Sequence, residues 1–141
     1  MELKNYDELI AMVKAAPMVS GAITACDDHT IEAACHAYKE QVMRPIFIGD
    51  QAEIVKYVRE FGFSEDEFEI IDEKDPLKTP LIACDLVNSN RASVVMKGMI
   101  DTSDFLRGIL DKERGLRTGN PMSHVAILQI PNYPKLLAFT D

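Results

Sequence analysis

Cysteine is scarce in this chain: three in 141 residues, at positions 26, 35 and 84, with no C-x-x-C spacing. That count excludes a disulfide scaffold and suits a reducing compartment. Long apolar runs are also absent. Nothing approaches the roughly 20 residues that span a bilayer, so no membrane partner is expected. The N-terminus, Met1-Glu2-Leu3-Lys4-Asn5, lacks a basic stretch followed by an apolar one, so no secretory signal is read and a cytoplasmic setting is expected. Positive charge is short as well. Lys and Arg total 15 against 23 Asp and Glu, a net charge of −8. A nucleic-acid surface needs clustered cations, so that class of partner is excluded. There is no G-x-G-x-x-G, no P-loop and no internal repeat. Tyr6, Tyr38, Tyr57 and Tyr133 form no stacking platform, and His29, His36 and His124 are not spaced as a metal set.

What is present is a chain able to bury a core. Hydrophobic residues make up 47% and charged residues 27%, and the length suits a single domain over 1-141. Asn5 can cap a first helix, with Glu8 three residues on and Leu9, Ile10 and Val13 as its apolar stripe, until Pro17 ends it. Met18 to Ala25, small and β-branched, reads as a buried strand. Asp27, Asp28 and Thr30 offer caps to a helix carrying Ile31, Ala34, Cys35, Tyr38 and Val42 at helical spacing. Pro45 to Gly49 reads as a second strand. Asp50 with Glu53 then opens a helix lined by Ile54, Val55, Val58 and Phe61, and Gly62 stands where a left-handed cap belongs. Strand and helix alternating across short joints is the pattern of a parallel α/β sheet.

After an acidic connector at Ser64 to Glu67, Phe68 to Ile71 and Ala92 to Met96 add two strands. Between them Thr79 reads as a cap and Pro80 as a first helical residue, opening Leu81 to Val87. A helix over about Thr102 to Asp111 is expected to turn Phe105, Leu106, Ile109 and Leu110 to the core. His124 to Ile130 and Lys135 to Thr140, joined by Pro131-Asn132-Tyr133-Pro134, read as a C-terminal β-hairpin.

Residues able to do chemistry concentrate between Lys97 and His124. Lys97-Gly98 ends a buried strand, and ligands of open α/β folds bind at the carboxyl ends of the strands. Asp101, Thr102, Ser103 and Asp104 surround a helix start, whose free N–H groups favour anions. Arg107 lies on the flank of that helix. Gly115-Leu116-Arg117-Thr118-Gly119 is a glycine-bounded loop with a cation and a hydroxyl. Lys97, Arg107 and Arg117 could make a local anion site in an otherwise acidic protein. On composition and spacing alone, ordinary solvated charges with turn glycines remain the open alternative.

The same residues carry a family resemblance. The run Val95-Met96-Lys97-Gly98-Met99-Ile100-Asp101-Thr102-Ser103-Asp104-Phe105-Leu106-Arg107, with Gly115-Leu116-Arg117-Thr118-Gly119 and Ser123-His124-Val125, resembles the phosphate acetyl/butyryltransferases, the butyryl branch most closely. The resemblance implies a Rossmann-like, mostly parallel sheet flanked by helices, as in the N-terminal part of the isocitrate/isopropylmalate dehydrogenase-like fold. It implies reversible acyl transfer, acyl-CoA plus phosphate giving acyl phosphate plus CoA, with coenzyme A as substrate and no metal or redox cofactor. Arg107 is then the first choice for phosphate. Arg117 with Thr118 and Gly119 is a second anion contact, Lys97 supplies charge, and Thr102 or Ser123 a hydroxyl donor. The family's general-base aspartate and active-site serine lie in a later portion, so no residue here inherits those roles, Asp141 included. The chain is thus expected to be the N-terminal portion of a longer acyltransferase and catalytically incomplete alone.

Other readings stand beside this one. A non-catalytic module binding CoA-like or phosphorylated ligands, or a partner chain, would show the same anion-binding residues. Dehydrogenation with a nicotinamide cofactor rests only on the α/β pattern, a weak warrant. His36 reads as a surface residue; His29 and His124 lie near the candidate ligand edge. Cys35 and Cys84 read as structural, and Cys26, ending a strand, as the cysteine to test. A sheet interrupted at Thr140-Asp141 leaves an open edge and uncovered apolar helix faces, so a homo-oligomer is expected.

Overall fold

A computed structural model describes residues 2–141. The chain divides into two compact units, Met18–Arg117 and a second made of the segment up to Pro17 with Thr118–Asp141.

The larger unit is built on four parallel strands: β1 (Val19–Thr24), β2 (Met43–Gly49), β3 (Glu69–Asp72) and β4 (Val94–Lys97), in the order β3-β2-β1-β4. Every second residue faces the same side of a strand, and that alternation sorts the core into two layers. Ile23 and Phe47 point to one face. There they meet Ile31, Ala34 and Cys35 of α2 (Asp28–Lys39), Ile54 and Val58 of α3 (Gln51–Glu60), and Phe68. Ala22, Ile46 and Ile48 point to the other, against Ala83 and Leu86 of α4 (Thr79–Asn88). α5 (Thr102–Ile109) packs on α4. The result is the parallel sheet flanked by helices that the sequence predicts.

The caps of the central helices also match. Asp27 accepts from the Thr30 amide, and Asp50 from Ala52 and Glu53. Gly62 has φ +85°; its amide bonds Arg59 O and that of Phe63 bonds Val58 O, closing a Schellman motif. The acidic connector contains a single 3-10 turn, Glu65–Glu67, held by a Ser64/Glu67 capping box.

Two expectations fail in this unit. Thr79 does not cap α4: Lys78 occupies the N-cap position without a side-chain bond, and Thr79 is buried inside the first turn. Its hydroxyl is instead shared between Pro76 O, three residues back, and the distant Ala25 amide. Leu110 lies beyond the end of α5 and is 41% exposed, because the helix meets α4 through Gly108 and Ile109 instead. A Cβ on Gly108 would stand 2.6 Å from Pro80 Cβ, so only glycine permits that approach.

The smaller unit contains α1 (Tyr6–Ala15) and the antiparallel pair β5 (Val125–Leu128) and β6 (Leu137–Thr140). Asn5 caps α1 by accepting from the Glu8 amide, while the Glu8 carboxylate accepts from Lys4 N. The Tyr6 hydroxyl donates to Ile127 O, and Leu136 N to Leu3 O. The expected apolar stripe of α1 is not a core face, since none of its residues is buried and Ile10 and Val13 are exposed. Thr140 lies in this two-stranded sheet, so the open edge read at the C-terminus belongs to the hairpin and not to the parallel sheet.

Candidate functional site

Strand order reverses at β1. The chain runs β1 to β2 to β3 on one side and returns to β4 on the other. Such a switch point opens a crevice at the carboxyl ends of the two diverging strands. Here those ends are Thr24-Ala25 and Lys97-Gly98, paired in register at Thr24 and Lys97.

The crevice is tightly tied. Ala25 sits at φ +46°, a left-handed conformation that costs a non-glycine residue about 1–2 kcal/mol. Its amide donates to Thr79 Oγ1 at 3.1 Å, and Thr79 Oγ1 donates to Pro76 O at 2.8 Å. Its carbonyl accepts from Met99 N at 2.9 Å. Thr24 Oγ1 bonds Met96 O. Gly98 fits because it lacks a side chain: a Cβ would lie 2.5 Å from Ala25 O and closer still to Thr24 O.

Two clefts flank this junction. One, of about 340 Å³, runs over the ends of β1, β2 and β3 and is lined by Asp27, Asp28, Asp50, Glu53, Glu73 and Lys74, with Tyr57 and Met99 among its apolar walls. It is strongly acidic and offers nothing to a phosphate but Lys74, whose Nζ already stands 3.9 Å from Asp50. The other, of about 500 Å³, lies beside the end of β4 and is lined by Pro76, Leu77, Lys97, Met99, Ile100, Asp101 and Asp104.

The sequence-predicted residues distribute as follows. Lys97 borders the second cleft, and its ammonium donates to Gly98 O at 3.3 Å and Ile100 O at 2.8 Å. Thr102 is the first residue of α5, whose N-cap Asp101 makes no side-chain capping bond. Arg107 is 76% exposed and holds Asp104 Oδ1 at 2.7 Å through Nη1. Lys97 and Asp104 thus line one cleft, and Arg107, in the last turn of α5, is linked to it only through its pair with Asp104. Arg117 is exposed at the end of the larger unit, whereas Thr118, Gly119 and Ser123 are exposed positions of the smaller one. Gly119 has φ +86°.

His36 is exposed, as expected, and His29 is a solvent-facing residue of α2's first turn. His124 uses its backbone amide to bond Asp141 Oδ1. Cys26 lines the acidic cleft, but burial pushes its thiol up to about 12, so it stays protonated and is no nucleophile near neutral pH. Cys35 and Cys84 are buried. Sequence reasoning missed Ala25, Thr79 and the acidity of the first cleft. No local signal marks the Ala25–Thr79 bond, whose partners are 54 residues apart. Among the described residues no group of three or more His, Cys, Asp or Glu could hold a metal ion, and no helix is long and apolar enough to cross a membrane.

The fold is that of the phosphotransacylases. It superposes on a phosphotransacetylase from Streptococcus pyogenes with TM-score 0.67 at 15% identity, covering 88% of this chain and 47% of that one. On a branched-chain phosphotransacylase from Enterococcus faecalis the TM-score is 0.65 at 25% identity, covering 88% and 43%. Sequence comparison narrows the class. The chain is 40% identical over 139 residues to the phosphate butyryltransferase of Clostridium beijerinckii, covering 98% of this chain and 46% of that protein. It is 39% identical over 140 residues to the phosphate butyryltransferase of Clostridium acetobutylicum, covering 99% and 46%. A phosphate acetyltransferase of Thermotoga maritima is 32% identical over 135 residues, covering 96% and 46%. The chain is therefore similar over nearly its whole length to phosphate butyryl- and acetyltransferases, and it spans about half the length of the curated relatives it matches. It matches no protein-family model.

Proposed function

We propose that this chain takes part in reversible transfer of a short acyl group between coenzyme A and inorganic phosphate, as the anion-binding α/β portion of a phosphate acyltransferase. The observation that carries this reading is the 40% identity to a phosphate butyryltransferase over 98% of the chain. A phosphate oxygen attacks the thioester carbonyl, and the electron pair moves onto the carbonyl oxygen. Collapse of that tetrahedral oxyanion breaks the C–S bond, leaving acyl phosphate and CoA thiolate, which takes up a proton. Each species is anionic, so fixed donors that strengthen as charge develops lower the barrier.

The residues suit that demand. Arg107 keeps most of its guanidinium free while Asp104 orients it three residues away along the helix. The first-turn amides of α5, next to Thr102, meet no side-chain cap from Asp101. Lys97 adds positive charge at the β4 end once it exchanges its carbonyl contacts. Arg117 is a further proposed anion contact of the larger unit, and Thr118, Gly119 and Ser123 are proposed anion contacts carried by the smaller unit. No residue of this chain is assigned the general base that would generate thiolate in the reverse direction. CoA enters as a substrate, and a cytoplasmic homo-oligomer is part of the same reading.

The decisive test is phosphate-dependent release of CoA from butyryl-CoA by the natural polypeptide. Release that depends on phosphate supports the proposal; no release at any phosphate concentration refutes it. Calorimetric titration of the 141-residue chain with CoA and acetyl phosphate separates out the non-catalytic alternative, in which binding occurs but the natural polypeptide turns nothing over. Light scattering after size exclusion tests the assembly, and a clean monomer would remove that part of the proposal.

A further inference from the structure

Thr79 is the most connected buried polar side chain of the larger unit, and no functional reading uses it. It is fully buried, yet it stands in the first turn of α4, whose N-cap makes no side-chain bond. Its hydroxyl proton goes to Pro76 O at 2.8 Å, and its oxygen receives the Ala25 amide at 3.1 Å. Ala25 is the left-handed residue at the end of the central strand β1. The Ala25 carbonyl in turn holds Met99 N at 2.9 Å. Pro76 and Met99 line both clefts beside the switch point. A single hydroxyl therefore joins the loop before α4, the end of β1 and the Lys97–Asp101 loop.

The geometry points to Thr79 as the positioning residue of the candidate anion site, an inference that rests on the function proposed above. The Ala25 amide has Thr79 Oγ1 as its acceptor, and a buried amide deprived of its partner is costly. Without that partner Ala25 loses its reason to stay left-handed, since the β region is the lower-energy state for alanine. Rotation there would swing the Ala25 carbonyl off Met99 N, and with it the loop after β4, whose Gly98 and Ile100 carbonyls hold the Lys97 ammonium and which leads into the α5 N-terminus. Thr79 touches no reacting atom in this scheme. It acts through Ala25 and Met99.

The test compares Thr79→Val, which keeps the shape and removes the hydroxyl, with Thr79→Ser, which keeps the hydroxyl. Amide hydrogen exchange is measured at Ala25, Met99, Ile54 and Val58, and binding of inorganic phosphate and CoA by calorimetry. In Thr79→Val, exchange at Ala25 and Met99 is expected to accelerate and phosphate affinity to fall, each about tenfold, as loss of one such bond implies. Ile54 and Val58, in the opposite core layer, should keep their rates, and Thr79→Ser should restore exchange and affinity together. Unchanged exchange at Met99, or acceleration shared equally by Ile54 and Val58, overturns the inference. So does a Thr79→Val chain that binds phosphate as tightly as the unsubstituted one. If the unsubstituted chain binds neither ligand, the site reading fails while the exchange rates still decide whether Thr79 clasps the loop.

Discussion

Replacing Gly98 by alanine tests the switch point most directly. The added Cβ would lie 2.5 Å from Ala25 O and closer to Thr24 O, and both are backbone atoms. Neither can rotate away like a side chain: Thr24 is fully buried in the central strand, and Ala25 is pinned by Thr79 and Met99. The strand ends must separate instead. Overpacking of this kind costs about 1–3 kcal/mol, and losing the Met99–Ala25 bond adds about 1 kcal/mol. The stiffer unfolded chain returns about 0.4–1 kcal/mol. The net expectation is a loss of about 1–3.6 kcal/mol, centred on about 2 kcal/mol. With a urea slope of about 1–3 kcal/mol per molar, the unfolding midpoint should fall by about 1 M. Gly62→Ala is the control, because Gly62 needs its positive φ yet has nothing within 4 Å of a new Cβ; its cost should be the left-handed penalty alone, about 1–2 kcal/mol. Circular dichroism over a urea series measures both. A Gly98→Ala midpoint within about 0.2 M of the unsubstituted protein would refute the close-approach argument.

Arg107→Ala should weaken phosphate binding while leaving the urea midpoint almost unchanged, because an ion pair with one partner 76% exposed contributes at most about 1 kcal/mol; calorimetry and unfolding on the same sample check both halves. The three thiols should resist alkylation in the folded protein at pH 8, since burial pushes Cys26 up to about 12 and Cys35 and Cys84 up to about 11. Above about pH 9 the unfolded chain ionises these thiols first and binds fewer protons than the folded one, so stability should fall as pH rises; urea midpoints at pH 8 and 10 give the sign. The Arg59 guanidinium, hydrogen-bonded to Glu65, holds that carboxyl down to about 2. Its stabilising effect is fully present above the ordinary glutamate range and is lost as pH falls toward about 2, and carboxyl NMR titration of Arg59→Met should show Glu65 shifted up toward the ordinary range, a backbone hydrogen bond still holding it somewhat below.

Much of the fold was legible because short-range rules decide it. The alternation of Ala22 with Ile23, and of Ile46 and Ile48 with Phe47, assigns each side chain to one of two layers before any contact is known. Asp27 and Asp50 cap where their spacing says they should, and Gly62 turns left-handed where the helix must stop. What was not legible depends on partners remote in sequence. Thr79 has the look of a local cap, but while its hydroxyl donates back to Pro76 O, its oxygen is taken by the amide of Ala25, 54 residues away. Leu110 continues a helical apolar pattern, yet Gly108 lets α5 approach Pro80 closely and the helix ends before Leu110 can turn inward. The stripe of α1 shows the limit of periodicity: it marks an apolar face without saying what, if anything, covers it. For the site, Lys97 and Asp104 line one cleft at the end of β4, while the acidity of the neighbouring cleft arises from residues 27 to 73, scattered over three strand ends.

That acidic cleft has a consequence for how a ligand arrives. The two clefts share Pro76 and Met99, so they are neighbours along one sheet edge, one lined by five carboxylates and one lysine, the other, less acidic, by Asp101, Asp104 and Lys97. A phosphate-bearing molecule drifting over this edge meets a gradient: repulsion above β1 to β3, relief toward β4 and α5. At physiological ionic strength such fields fade over about 8 Å, so the gradient acts on the last steps of encounter. It selects where an anion lands by making the wrong landing unfavourable, and it shapes association rate and salt dependence more than final affinity.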